Sequence, residues 1–344
     1  MIRFGPSGIP LSCKGRTLRD GIEDVHNLGL TALEVQLVRV NLRERYATEE
    51  DIQMTPRQVP EELVVQIVRR EDGKEVRLSS LDTKIEKGDI LYSLASGVAD
   101  DYRELEEIGT VARELDIELS LHTPYYMDLG DVDGLAQKSM DSIRWGGMLA
   151  EAMGATTVTT HLGMYGELDA KAALARVTKS LRTLRDWYKK AKIRARLGVE
   201  VSGRQEVVGG LDEVLTIAKN VKGIIPTLNF AHAHARGFGS LNKPEDFTEV
   251  LNKVKRATGG RIHTHFSGVE HADGNEVRYT PIKKGDLRFE PLAECLLDGD
   301  YDLTLISSSP LLEHDAMYMK VIFERVLARR LGRPTKPEKE ERRR

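Results

Sequence analysis

Short apolar runs, each bounded by glycine, proline or polar residues, alternate along this chain with longer stretches in which apolar residues recur at helical spacing. The runs predict strands at residues 2–5, 32–40, 117–122, 156–161, 197–200, 225–229, 261–265 and 301–306. The longer stretches predict helices at 18–28, 102–115, 132–153, 169–191, 211–221, 244–257, 289–297 and 315–331, the first with Thr17 as N-cap. Eight strands in alternation with helices argue for a closed (β/α)8 TIM barrel rather than an open sheet. The rhythm breaks between about 41 and 97. There, runs at 63–68 and 75–78 flank Asp72-Gly73, a strong hairpin signal, and 85–91 reads as a third small strand. This predicts a β-rich subdomain inserted in the second β-to-α connection. Because such connections leave a barrel at its carboxyl end, the insertion is expected to fold over that face. The expected organisation is thus a barrel over 1–331, interrupted by the insertion at 41–97, and a charged, frayed tail over 332–344.

Composition narrows this picture only slightly. A length of 344 residues suits one barrel with an insertion, and 40% apolar residues can fill a large core. The net charge of −3 excludes a global cationic field, so any nucleic acid has to be held by a local patch. Cys13 and Cys295 form no motif, which makes a reducing cytoplasm the expected setting. No apolar run approaches the length of roughly 20 residues needed to span a bilayer, so no membrane is expected as a partner.

The chemistry lies at the strand ends. The third strand ends in His122, followed by Thr123-Pro124-Tyr125-Tyr126. The fourth ends in His161, the fifth in Glu200 and the sixth in Asn229, with His232 three residues on. The seventh carries His263 and His265 in alternation, so both face one side. In a closed parallel barrel these ends converge on one face. Two imidazoles and a carboxylate on neighbouring strands, His122, His161 and Glu200, form a ligand set for Zn²⁺, Mn²⁺ or another divalent ion with room for water. Glu200 can bridge to a second ion that His265 and Asn229 would also hold, with His232 completing or positioning it. For one such histidine the plain reading is a polar group paired at a strand end; five consecutive strands ending this way favour metal.

These motifs resemble the endonuclease IV family of apurinic/apyrimidinic endonucleases, within the xylose-isomerase-like barrels. The resemblance covers about residues 115–325. His122-Thr-Pro-Tyr125 is similar to that family's His-Ala-Pro-Tyr, and His161-Leu-Gly163 to its His-Pro-Gly. Glu200 falls at its bridging glutamate. Asn229-Phe-Ala-His232 resembles its Asp-Thr-x-His, and His265-Phe-Ser267 the start of its His-Leu-Asn-Asp-Ser. The resemblance implies a zinc-dependent hydrolase of DNA repair that cleaves DNA at abasic or damaged sites. In it Glu200 and His232 serve the chemistry, and Tyr125 and Tyr126 contact substrate. Arg236, in the loop after His232, is placed to contact an anionic substrate.

The departures from the family pattern are specific. Asn229 stands where the family has Asp, Val277 and Tyr279 where it has Asp and His, and Ser308 where it has Glu. Glu313 is close enough in sequence to Ser308 to substitute. One complete metal site is therefore expected, and the further ones are incomplete. Two other readings remain open: a sugar isomerase or epimerase of the same barrel superfamily, and a non-catalytic barrel with a vestigial site.

Overall fold

The computed structural model describes residues 1–38, 40–95 and 97–332. Its elements run β1 (Ile2–Pro6), α1 (Leu18–Asn27), β2 (Ala32–Gln36), β3 (Leu42–Tyr46), β4 (Val64–Glu71), β5 (Lys74–Leu78), β6 (Ile90–Leu94), α2 (Tyr102–Glu114), β7 (Glu118–His122), α3 (Leu135–Met153), β8 (Thr157–Thr160) and α4 (Ala170–Lys190). They continue β9 (Arg196–Glu200), α5 (Leu211–Asn220), β10 (Ile224–Asn229), α6 (Phe230–Arg236), α7 (Pro244–Thr258), β11 (Ile262–Phe266), β12 (Gly268–Ala272), β13 (Asn275–Thr280), α8 (Glu290–Asp298), β14 (Leu303–Ser307) and α9 (Glu313–Arg330). A short 3₁₀ turn, Pro56–Gln58, lies before β4.

Eight strands pair in parallel in the order β1-β14-β11-β10-β9-β8-β7-β2. The seam between β2 and β1 is joined by a parallel bridge from Ser7 to Glu34 and by the Thr31 N–H to the Phe4 carbonyl at 2.9 Å. A barrel closes here only because Gly5 has no side chain: a Cβ on it would sit 1.8 Å from the Ala32 carbonyl oxygen. This is the (β/α)8 architecture that the periodicity predicts. Outward residues such as Leu119, Leu121, Leu197, Val199, Ile262 and Phe266 are buried beneath the helices. The inward face is polar in layers. Near its amino-terminal end Glu118 accepts from Thr304 Oγ1 (2.7 Å) and pairs with Arg261 Nη2 (2.7 Å). His263, His265 and Glu34 lie further toward the carboxyl end. Helix starts follow their caps. Thr17 and Asp20 form a capping box on α1, Asp101 accepts from the Glu104 N–H on α2, and Asp169 accepts from the Ala172 N–H on α4.

The inserted segment forms a four-stranded antiparallel sheet of order β3-β6-β4-β5. The hairpin at Asp72-Gly73 is present, both residues having positive φ. β3 has no counterpart in the sequence reading, because Leu42-Arg-Glu-Arg-Tyr46 is mostly exposed and lacks an apolar face. The third small strand lies at Ile90–Leu94 instead of starting at 85. A bulge between Val64 and Gln66 breaks the alternation of β4. It lets Val64 and Ile67 both pack on Val59, Ile85 and Leu91 in a small core of the insertion, while Leu63 and Val65 join the main core.

That second apolar side sets where the insertion sits, and it corrects the expectation that the insertion covers the barrel mouth. It lies on the flank. Tyr102 Oη at the start of α2 donates to the Val64 carbonyl (3.2 Å), and Trp187 Nε1 in the last turn of α4 donates to Ser79 O (3.2 Å). The last turn of α4 belongs to the amino-terminal end of the barrel. Two further elements fall outside the alternating rhythm: the short helix α6, capped by Asn229, and the β12–β13 hairpin, which turns at Asp273-Gly274. The tail expectation for 332–344 lies, beyond Gly332, outside the described residues. Among the described residues no helix is long and apolar enough to cross a membrane.

Candidate metal centre

The inward end of each carboxyl-terminal strand delivers one polar side chain to a common point, and Glu200, 2% exposed, is its hub. Oε2 of Glu200 lies 3.0 Å from His122 Nε2 and 3.1 Å from His161 Nδ1. Oε1 lies 2.9 Å from Asn229 Nδ2, 3.2 Å from His265 Nδ1 and 4.0 Å from His232 Nδ1. Gly163, at φ 116°, lets the loop after His161 run hard against Asp128, since a Cβ there would be 2.3 Å from Asp128 Oδ1. The two loops are further pinned by the Leu129 N–H to the Leu162 carbonyl at 2.9 Å.

Glu34 is the residue that the sequence reading missed. It sits on β2, fully buried, with His263 Nε2 at 2.9 Å, His265 Nε2 at 2.9 Å and Gln36 Nε2 at 2.8 Å. The signal was the alternation of Leu33, Glu34, Val35, Gln36 and Leu37. The apolar residues face the helices and the polar ones face the barrel interior, where a strand in a solvated sheet would turn them to water. His265 therefore lies between two buried carboxylates. Burial alone pulls an imidazolium down, but the carboxylates of Glu34 and Glu200 together outweigh it and raise His265 to about 10. Burial raises Glu200, but the imidazoles of His161 and His122 outweigh it and hold the carboxyl well below its usual range. Glu34 is held low in the same way by His265. Burial brings His161 down to about 4, against the pull of Glu200, so this ring is neutral at pH 7.

His122, His161 and Glu200 fit a divalent cation. Their ligand atoms all lie within 4.8 Å of one another. His122 Nδ1 donates to the Thr123 carbonyl at 2.7 Å, which fixes the ring and leaves Nε2 as the atom facing Glu200. A cation would take the place of the proton there, the arrangement of metal-bound histidines whose second nitrogen is tied to a carbonyl. His161 is already neutral.

Asn229 is not arranged as the ligand that the sequence suggested. Its Oδ1 accepts from the His232 N–H (3.2 Å) as the cap of α6, and its amide nitrogen donates to Glu200 and to Tyr279 Oη (2.8 Å). His232 donates from Nδ1 to the Val201 carbonyl (2.7 Å) and turns Nε2 to Tyr279 Oη (2.7 Å) and Glu276 Oε2 (2.8 Å). Burial lowers His232, yet Glu276 outweighs it and the net shift is upward. Burial, with Glu276 adding to it, pushes the Tyr279 hydroxyl well above its ordinary range, so it stays a donor.

Arg236, expected at the substrate, instead braces the loop after β9. It donates to the carbonyls of Arg204 and Val207 and, from Nη2, to Tyr165 Oη at 3.2 Å. Glu313 is also elsewhere, accepting from the Leu11 and Ser12 N–H groups at 2.9 and 3.0 Å. Tyr125 and Tyr126 are 76% and 44% exposed at the mouth, their rings 5.5 Å apart and nearly perpendicular, so neither is covered by the insertion.

The site opens through a cavity of about 200 Å³ whose lining includes Ser7, Glu34, Gln36, His122, Tyr125, His161, Glu200, His265, Tyr279 and Ser308; no described residue of the insertion lines it. A larger cavity of about 630 Å³ lies in the insertion, around Arg43, Arg45, Glu61 and Glu62, with no imidazole of the centre in its lining. A third cluster, His234, His271 and Asp286, has the spacing of a metal site but not the protonation. The Leu241 N–H donates to His234 Nδ1 (3.1 Å), so the neutral ring carries its proton on Nε2, 3.3 Å from Asp286, and has no lone pair to offer there.

A closed parallel barrel with imidazoles and a carboxylate gathered at its carboxyl end defines a class, and comparison with known proteins agrees with it. The chain belongs to the xylose isomerase-like TIM barrel family, whose profile matches residues 90–311. Over 245 residues it is 27% identical to the uncharacterized protein MJ0133 of Methanocaldococcus jannaschii, covering 69% of this chain and 87% of that one. Among solved structures it is similar to endonuclease IV from Thermus thermophilus, with TM-score 0.58, 18% identity and coverage of 94% of this chain and 99% of that one. It is similar also to a D-tagatose 3-epimerase-like protein, with TM-score 0.61, 15% identity and coverage of 95% and 99%. For the protein described as SacUVDE the values are 0.56, 16%, 92% and 86%. At such identities these likenesses concern the fold.

Proposed function

We propose that this barrel is a divalent-metal-dependent phosphodiesterase acting on DNA at abasic or otherwise damaged sites. The observation that carries the reading is the pair Tyr125 and Tyr126. They are solvent-facing and begin three residues beyond His122, at an uncovered mouth. Two rings so placed contribute little to a core and suit stacking on bases or filling the gap at a missing one. His122, His161 and Glu200 would hold the ion, Zn²⁺ or Mn²⁺, which supplies a polarised phosphoryl oxygen and water of lowered pKa. His232 is the group set to hold or pass a proton, its Nε2 lying between Tyr279 and Glu276 at the rim. Asn229 keeps Glu200 oriented.

The expected outcome is tighter binding to duplex with an abasic site than to intact duplex at one fixed salt concentration, and cleavage of the former with Zn²⁺ or Mn²⁺. Tyr125→Ala with Tyr126→Ala should lower the preference by about 10- to 100-fold, from about 1–3 kcal/mol per stacked base, with metal content unchanged. No preference and no cleavage would sink the reading. A second reading, sugar epimerisation, draws on the two buried carboxylates, Glu34 and Glu200, that line the small cavity. Solvent deuterium entering ketohexoses beside the carbonyl would establish it in place of the first.

A further inference from the structure

The sheet order places β2 across the barrel from β11, with β1 and β14 between them. Glu34 and His265 meet inside, with the His265 ring spanning from Glu34 on one side to Glu200 on the other. Two fully buried carboxylates thus share one imidazole. Charges so deeply buried demand a compensating cation, and a proton on a histidine is the smallest that serves. The positions from which related barrels are expected to complete a second ion site carry neutral groups here, Asn229 and Ser308, and Asn229 presents a donor. The carboxylate is present all the same, on a different strand.

We propose that Glu34 and His265 hold a second divalent cation, with Glu34 supplying from β2 the anionic oxygen that β10 and β14 lack. The local hydrogen bonds suit this. His265 Nδ1 faces Glu200 at 3.2 Å, leaving Nε2 directed at Glu34. His263 Nε2 lies 2.9 Å from Glu34 Oε2. His263 is therefore the support that orients the carboxylate, with Ser120 Oγ behind it at 3.4 Å. Glu34 and His265 line the cavity beside Ser7, Gln36 and Ser308, whose neutral oxygens and space for water suit an ion that accepts mixed nitrogen and oxygen ligands. The inference builds on the first centre being metallic and is independent of the substrate.

Metal content after loading with Mn²⁺, and separately with Zn²⁺, and exhaustive dialysis tests it. Wild type should retain about two ions per chain. Glu34→Gln should lose one of them and His161→Ala the other. Anomalous diffraction from loaded wild-type crystals, which needs no variant, should show one peak at His122, His161 and Glu200 and a second at Glu34 and His265. One peak only, at the first centre, with Glu34→Gln keeping full content, overturns the second site and leaves the first standing; the pair then holds a proton. No bound ion at all overturns both.

Discussion

At position 229 an amide donates to Glu200 where a carboxylate would repel it. Asn229→Asp sets a second negative oxygen about 2.9 Å from Glu200 Oε1 in place of that hydrogen bond. Without a cation this should destabilise the fold by about 3 kcal/mol, the scale of an uncompensated buried charge, and divalent metal should recover most of the loss. Thermal denaturation with chelator and with Mn²⁺ checks this; an equal loss in both would mean that residue 229 does not face the ion. His122, His161, Glu200 and His265 were legible in the sequence because each ends a strand-like run, so their phase was fixed by the strand. Glu34 was not, because one glutamate within Ala32-Leu-Glu-Val-Gln36 also fits an amphipathic strand. Tyr279 was set aside as a failed ligand; its part is to accept from Asn229 and share a hydrogen bond with His232 Nε2, a role that depends on three-dimensional partners.

Within the insertion, ion pairs tie the strands together around its small apolar core. Arg45 on β3 reaches Asp51 Oδ2 and Glu62 Oε1, each at 2.6 Å, while Arg69 on β4 holds Asp89 at 2.8 Å. The hydrogen bond from Arg45, partly opposed by burial, lowers Asp51 from 3.8 to about 2. A carboxyl lowered on folding stabilises above its unfolded pKa, and that contribution disappears as pH falls through the folded value. Asp51→Asn should therefore cost about 1–2 kcal/mol at pH 6, discounted for the partly exposed guanidinium, and nearly nothing at pH 2. Hydrogen exchange in β3 and β6 as a function of pH measures the difference, and a cost independent of pH would contradict the assignment. The same region shows where pattern reading stops. The Asp72-Gly73 hairpin was legible from its turn. The equivalent Asp273-Gly274 turn was passed over, because Glu270-His-Ala272 and Asn275-Glu-Val-Arg278 lack the apolar alternation that marked the first. β3 is an edge strand of charged residues, recognisable only beside β6.

On the scale of the whole molecule, the barrel and its alternating helices were legible because the eight inner strands are mostly apolar on their outer faces. The placement of the insertion was not. It follows from a bulge at Val64–Gln66 that turns part of β4 toward the barrel helices. An ion bound to the folded chain alone should add stability by mass action, about 2.7 kcal/mol at a hundredfold excess over its dissociation constant. Chelation should lower Tm accordingly and His161→Ala should remove the part of the difference due to the first centre; an unchanged Tm on chelation would contradict metal binding. The closing seam has one more consequence. The side chains around Glu200 come from β7, β8, β10, β11 and the first residues of α6, and its partner His265 is also the partner of Glu34 beside the Ser7 bridge. A chain that stops at β10 has both carboxylates and lacks the imidazole between them. Glu34 and Glu200 gain their shared imidazole only when β11 pairs between β10 and β14, so the centre is complete only in a barrel whose last strands are in place.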